Sequence, residues 1–240
     1  MAMRTGLALV GILMGATLAS CERGPGGDEA PAAPEIEARL PEPPADLYDL
    51  TACGDARPQA PVAGRTFHYR FTPATAGPPP VERRQTIVRV TGDQTTFEEA
   101  TILFGSAMPG ETRQARFGFL PTAAPGRQIR YEEAASAIAA LAPGGSAPLN
   151  MVESVDGGGS ASGVATVTFV GCGTSGPLVA GLPGAPVRIY RLALPYADPA
   201  VPGALSKAVE LEFVVSDAEG WPIAERTPSG TFTLDRAPTS

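Results

Sequence analysis

Alternation with a period of two is the feature that most constrains this chain. Phe67, Tyr69 and Phe71 alternate with Thr66, His68 and Arg70, the pattern of a strand with one buried face and one wet face. Val209, Leu211, Phe213 and Val215 stand opposite Glu210, Glu212 and Ser216 in the same way, and Ala115, Phe117 and Phe119 opposite Gln114, Arg116 and Gly118. Thr86 to Thr91 and Thr95 to Phe104 flank Gly92-Asp93, a hairpin turn. The turn Asp217-Ala218-Glu219-Gly220 leads into Trp221 to Arg226, and Val164 to Val170 and Thr231 to Leu234 add further strands. One segment departs from this period. Glu132 to Ala142 is rich in Ala, carries Ile138 and Leu141 at helical spacing, and stops at Pro143-Gly144-Gly145, which predicts a short helix. Strands joined by short turns predict a mainly β domain, an antiparallel sandwich or open barrel with one short helix.

The ends of the chain obey other rules. Arg4 precedes an uncharged apolar stretch from Gly6 to Ala19. That stretch has the length of a secretory h-region and is too short for a transmembrane helix. It ends in Leu18-Ala19-Ser20-Cys21, which resembles the lipobox of bacterial lipoproteins. The resemblance implies a signal peptide over residues 1–20 and a diacylglyceryl group (palmitate-type chains) on the Cys21 thiol. Two or three acyl chains anchor a protein durably, one only marginally. By analogy with sorting in that class, Glu22 in place of Asp points to the periplasmic face of the outer membrane. Residues 21–46 read as the lipidated Cys followed by a disordered tether, in which Pro25, Pro31, Pro34, Pro41, Pro43 and Pro44 alternate with Gly, Ala and acids. The β-rich domain then occupies residues 47–240.

Export makes Cys53 and Cys172 candidates for a disulfide, because the compartment is oxidising; two unpaired buried thiols are the alternative. A formal net charge of −7, with Lys207 the sole lysine, argues against binding to nucleic acid. Catalytic signals are thin. His68 is the one histidine and falls on the polar face of its strand, too few ligands for a zinc site, and no Gly-x-Ser-x-Gly elbow accompanies it. Gly171-Cys172-Gly173-Thr174-Ser175-Gly176 has the letters of a dinucleotide fingerprint, but Pro177, Pro183 and Pro186 forbid the helix that motif needs, so it reads as a loop beside a disulfide. Glu98-Glu99 and Glu132-Glu133 read as surface acids, and Glu98 and Glu99 must point to opposite faces of a strand. No catalytic residue, metal ligand or cofactor is assigned.

Residues 164–226 are similar to uncharacterised periplasmic β-proteins. The similarity lies in the strand ending at Gly171-Cys172-Gly173, in Val187 to Leu192, in Val209 to Val215 and in Gly220-Trp221-Pro222-Ile223. It implies a fold and carries no activity. The expectation is an envelope lipoprotein acting as a binding or interaction module. Phe67, Tyr69, Phe71, Phe117, Phe119 and Trp221 are the contact candidates toward an envelope protein or an apolar ligand; otherwise they are core. A carrier with a barrel-like cavity is the second reading, and a hydrolase with an unrecognised site the third.

Overall fold

The computed structural model describes residues 35–54, 58–75, 81–196, 205 and 207–240. The elements are β1 (Glu35–Ala38), β2 (Tyr48–Thr51), β3 (Thr66–Pro73), β4 (Val81–Thr91), β5 (Gln94–Leu103), β6 (Ser106–Ala107), β7 (Glu111–Arg116), β8 (Leu120–Ala124) and β9 (Arg127–Tyr131). They continue with α1 (Ala134–Ala139), β10 (Ser146–Val155), β11 (Ser160–Ser175), β12 (Pro186–Tyr196), β13 (Lys207–Ser216), β14 (Pro222–Thr227) and β15 (Gly230–Thr239).

Setting aside β1, β2 and β6, twelve strands form an antiparallel meander in which each pairs with the next, and β15 pairs back onto β3. The sheet is thus a closed barrel. Closure satisfies the backbone of first and last strands alike and removes the long free edges that an open sheet would expose. The helix is real but short, with Ala134 buried and Ile138 and Leu141 packed against the core.

Register fixes which side chains face inward. Phe67 lies opposite Gln85, Tyr69 opposite Arg83 and Leu234, Ile87 opposite Phe97, and Phe213 opposite Glu225. An eight-stranded barrel is just filled by its own side chains, so twelve strands leave a wider interior. Large rings occupy much of it. Trp221 meets Phe97 edge-on at 5.1 Å, and Phe119 stacks on Tyr190 at 4.4 Å. These contacts belong to two apolar clusters, one around Trp221, Phe67 and Tyr69 and one around Phe119, Leu149 and Phe213.

Two sequence expectations are corrected. Ala115, Phe117 and Phe119 do not share a strand: β7 ends at Arg116, the chain turns through residues 117–119, and Arg116 pairs with Leu120. Phe117 and Gly118 both take left-handed φ, 54° and 78°. A turn of this length leaves the alternation of apolar residues intact, so periodicity alone could not reveal it. Gly171 to Ser175, expected as a loop, is strand: β11 runs on through Ser175 between β12 and β2.

Residues 35–51 lie along the outside of the barrel. β1 pairs in parallel with the start of β13, and β2 pairs with the end of β11 on the edge that β10 leaves free. A disulfide joins Cys53 to Cys172. Between these strands the Leu40 amide donates to Glu210 (3.1 Å), and the Pro41 carbonyl accepts from Arg226. The described portion of the Pro-rich stretch is therefore a strap bound to the domain. Beneath it, on the face of β13 opposite Phe213, fully buried Glu212 accepts from Arg226, from Arg191 (3.0 Å) and from the Tyr48 hydroxyl (3.1 Å).

Candidate functional site

A cavity of about 270 Å³ lies inside the barrel, and its two walls differ in chemistry. Phe97, Phe119, Ile129, Leu194, Leu211 and Phe213 supply an apolar wall. Arg83, Gln85, Glu99, Arg113 and Glu225 supply a polar one. The polar residues stand in phase with inward aromatics: Arg83 and Gln85 precede Ile87 along β4, and Glu99 follows Phe97 along β5. Their positions follow from the pleat; their tolerance inside a barrel follows from their partners.

Those partners form one network. Trp221 Nε1 donates to Gln85 Oε1 (3.0 Å), and Gln85 Nε2 donates to Glu99 Oε2 (2.7 Å). Arg83 Nη2 donates to Glu225 Oε2 (2.5 Å), and its other terminal nitrogen lies 3.7 Å from Glu99. Arg113 Nε sits 3.1 Å from Glu99 Oε1. The Arg83 guanidinium also stands 4.0 Å over the Phe232 ring and 5.0 Å over that of Tyr69. A charge removed from water at such a site requires an opposite charge and hydrogen bonds close by. Burial opposes the Arg83 charge, but Glu225 and Glu99 outweigh it and hold its pKa above the ordinary value. Burial raises the Tyr69 pKa, and its hydroxyl donates to the Pro222 carbonyl (2.8 Å).

A second concavity of about 550 Å³ adjoins the first, sharing Gln114, Ala123 and Ile129 with it. It follows the seam between β8 and β9, which pair only through Ala123 with Gln128 and Ala124 with Arg127. Gln94, Arg116, Thr122, Arg130 and Tyr131 are among its lining. Thr122 Oγ1 and the Tyr131 hydroxyl are buried there with no protein partner, and burial raises the Tyr131 pKa.

Of the six aromatic candidates, the structure brings Phe119 and Trp221 to the cavity wall. Phe67 packs behind Trp221 with ring centroids 6.2 Å apart, and Tyr69 lies under Arg83. Phe71 pairs with Phe232 at 4.7 Å, and half-buried Phe117 sits on its turn beside Arg116. His68 is on the outer face, its Nδ1 2.8 Å from Arg236; burial, then Arg236 and Arg84, lower its pKa. Glu98 is exposed, whereas Glu99 points inward, which corrects its reading as a surface acid. Glu132 and Glu133 are exposed beside α1. Among the described residues no cluster of His, Cys, Asp or Glu suits a metal ion. Cys21 lies outside the described residues.

The polar wall escaped sequence reasoning because Arg and Glu on a strand ordinarily mark its wet face. The available signal was phase: Arg83, Gln85 and Ile87 share a parity, as do Phe97 and Glu99. Fold and site together define a closed meander barrel with an amphipathic interior. Comparison of the chain with protein families, curated proteins and solved structures finds no match.

Proposed function

We propose that this protein is an exported, lipid-anchored binding protein of the cell envelope, whose barrel interior holds a small amphipathic molecule. The cavity with two opposed walls carries this reading. An apolar body would lie against Phe97, Phe119 and Phe213, and a polar head would meet Arg83, Arg113, Glu99 and Glu225. At about 270 Å³ the space lies just below the usual range of about 300–1,000 Å³ for ligand pockets. A short amphipath fits this better than a complete acyl lipid. The charged wall also disfavours a wholly apolar guest, since such a guest would cover ionic groups without bonding to them. Closure of the meander favours interior binding over docking along an open edge of the main sheet. The resemblance of Leu18-Ala19-Ser20-Cys21 to a lipobox supports the anchor and a site outside the cytosol.

Trp221 is the sole tryptophan and lines the cavity, so its fluorescence reports occupancy directly. Small molecules extracted from protein purified out of its native envelope, identified by mass spectrometry and titrated back, are expected to shift Trp221 emission. Ala115→Phe, which fills the cavity, should abolish that shift while the far-ultraviolet spectrum stays that of the barrel. Empty extracts from folded protein, together with no response to short amphipathic acids and amines, would rule out the ligand-binding reading. The anchor is tested separately: fatty-acid labelling should mark the mature chain and be lost in Cys21→Ser.

A further inference from the structure

The strongest feature left unused by the cavity is the β5–β6 hairpin. From Ala100 to Gly110 the chain carries no charged residue. At its tip Phe104 is 82% exposed and Met108 is 45% exposed, with Ile102 and Leu103 half-buried below them. The β8–β9 turn ends near the level of Gln114, the last β7 residue to pair with β8. β5 and β6 continue past that level through Ile102–Ala107 and Leu103–Ser106. Phe104 is also held at φ 51°, a left-handed conformation that an L-residue adopts at a cost. An almost fully exposed aromatic ring on a strained backbone contributes little to this fold, so its use lies with whatever meets the tip.

The path of the chain indicates what that is. Alternate strands of the meander run in opposite directions, so the rim where β13 begins at Lys207 is also the rim where β5 ends at Leu103. β1 is parallel to β13, and Glu35 pairs with Lys207. The segment from Cys21 therefore reaches the barrel at the rim from which Phe104 projects. The chain between Cys21 and Glu35 spans at most about 50 Å, which limits how far that rim can stand from any surface holding Cys21. Val155, 49% exposed, stands at the same rim. An uncharged tip with an aromatic ring suits the zone between lipid headgroups and acyl chains, where Phe and Trp side chains bury readily.

We propose that the β5–β6 hairpin is a membrane-contacting finger: Phe104 and Met108 dip into the bilayer that holds the lipidated Cys21. The rim at which β1 begins then faces the membrane, and the opposite rim faces away. This rests on the anchored reading above, and it can fail while that reading stands.

The test uses the mature lipidated protein carrying Phe104→Cys. With Cys21 acylated and Cys53 bonded to Cys172, this is the one free thiol, and it takes a nitrobenzoxadiazole label. The protein is reconstituted into vesicles of phosphatidylethanolamine and phosphatidylglycerol, with or without nitroxide-bearing phosphatidylcholine. A label on Thr91→Cys, an exposed position near the opposite rim, is the reference. The expected result is blue-shifted emission at position 104 that lipid nitroxide quenches, with water-like, unquenched emission at position 91. Unlabelled protein carrying Phe104→Ser and Met108→Ser, floated with the same vesicles, reports the anchor alone. Flotation with water-like emission at 104 overturns the finger and leaves the anchor standing; loss of flotation overturns both. If the label is buried only on native envelope vesicles and not on protein-free ones, the tip belongs to a protein partner and the proposal is wrong.

Discussion

Glu212 shows how much a single residue can carry. It is fully buried, and Arg226 beside it is 1% exposed, so neither charge can be hydrated if the other is removed. Deleting one member of such a pair costs about 3–5 kcal/mol. Glu212→Ala is accordingly expected to lower stability by about that amount in urea denaturation. Glu212→Ala combined with Arg226→Met should recover much of the loss, because no buried charge is then left alone. Phe104 is the opposite case. Its left-handed φ costs about 1 kcal/mol, and so little of the ring is buried that Phe104→Gly should be neutral or stabilising by up to about 1 kcal/mol. A clear loss of stability in that variant would mean that the ring packs against the fold after all.

Among the elements, the strap of β1, β2 and the chain between them depends on groups far away in sequence. Tyr48 reaches Glu212, 164 positions on, and burial followed by the charge of Glu212 pushes its pKa up to about 12. A group whose folded pKa exceeds its unfolded value of 10.0 holds its proton more tightly when folded. Its contribution is complete below pH 10 and is lost as pH rises toward 12. The strap is expected to loosen over that window, seen as tyrosinate absorbance rising together with faster proteolysis upstream of Cys53. Tyr48→Phe should remove the pH dependence. The disulfide acts on the same element. Its cysteines are 119 positions apart, and the chain-entropy account gives a closed loop of that length about 4–5 kcal/mol. Cys53→Ser with Cys172→Ser should lower the melting temperature, with earliest hydrogen exchange in β2.

The whole molecule is a ring whose last link joins its two ends. Every strand of the meander except the closing pair meets its neighbour across a local connection; β3 meets β15 only when the chain is complete. A chain ending at Thr227 lacks β15 and leaves β14 and β3 unpaired on one side. Such edges recruit other chains, so the truncated protein is expected to associate and bind hydrophobic dye, as measured by light scattering and dye fluorescence. The ring also makes the interior possible. The Arg83–Glu225 pair spans 142 positions, and neither charge has a place inside the barrel until both strands are in position.

Local chemistry in the sequence determined the strand phases at Phe67-Tyr69-Phe71 and Val209 to Val215, the turn at Gly92-Asp93, the short helix and the candidacy of Cys53 and Cys172. Each of these depends on neighbours within a few residues, or on the two cysteines left once Cys21 is set aside. Tertiary structure decided the rest. Period-two alternation separates two faces without saying which is enclosed when both carry polar residues, so Glu99 and Arg83 could be placed only by strands that meet them from elsewhere. The turn at Phe117 and the strap over Glu212 were hidden for the same reason. Their side chains satisfy rules of pairing and burial, and those rules operate across the barrel, not along the chain.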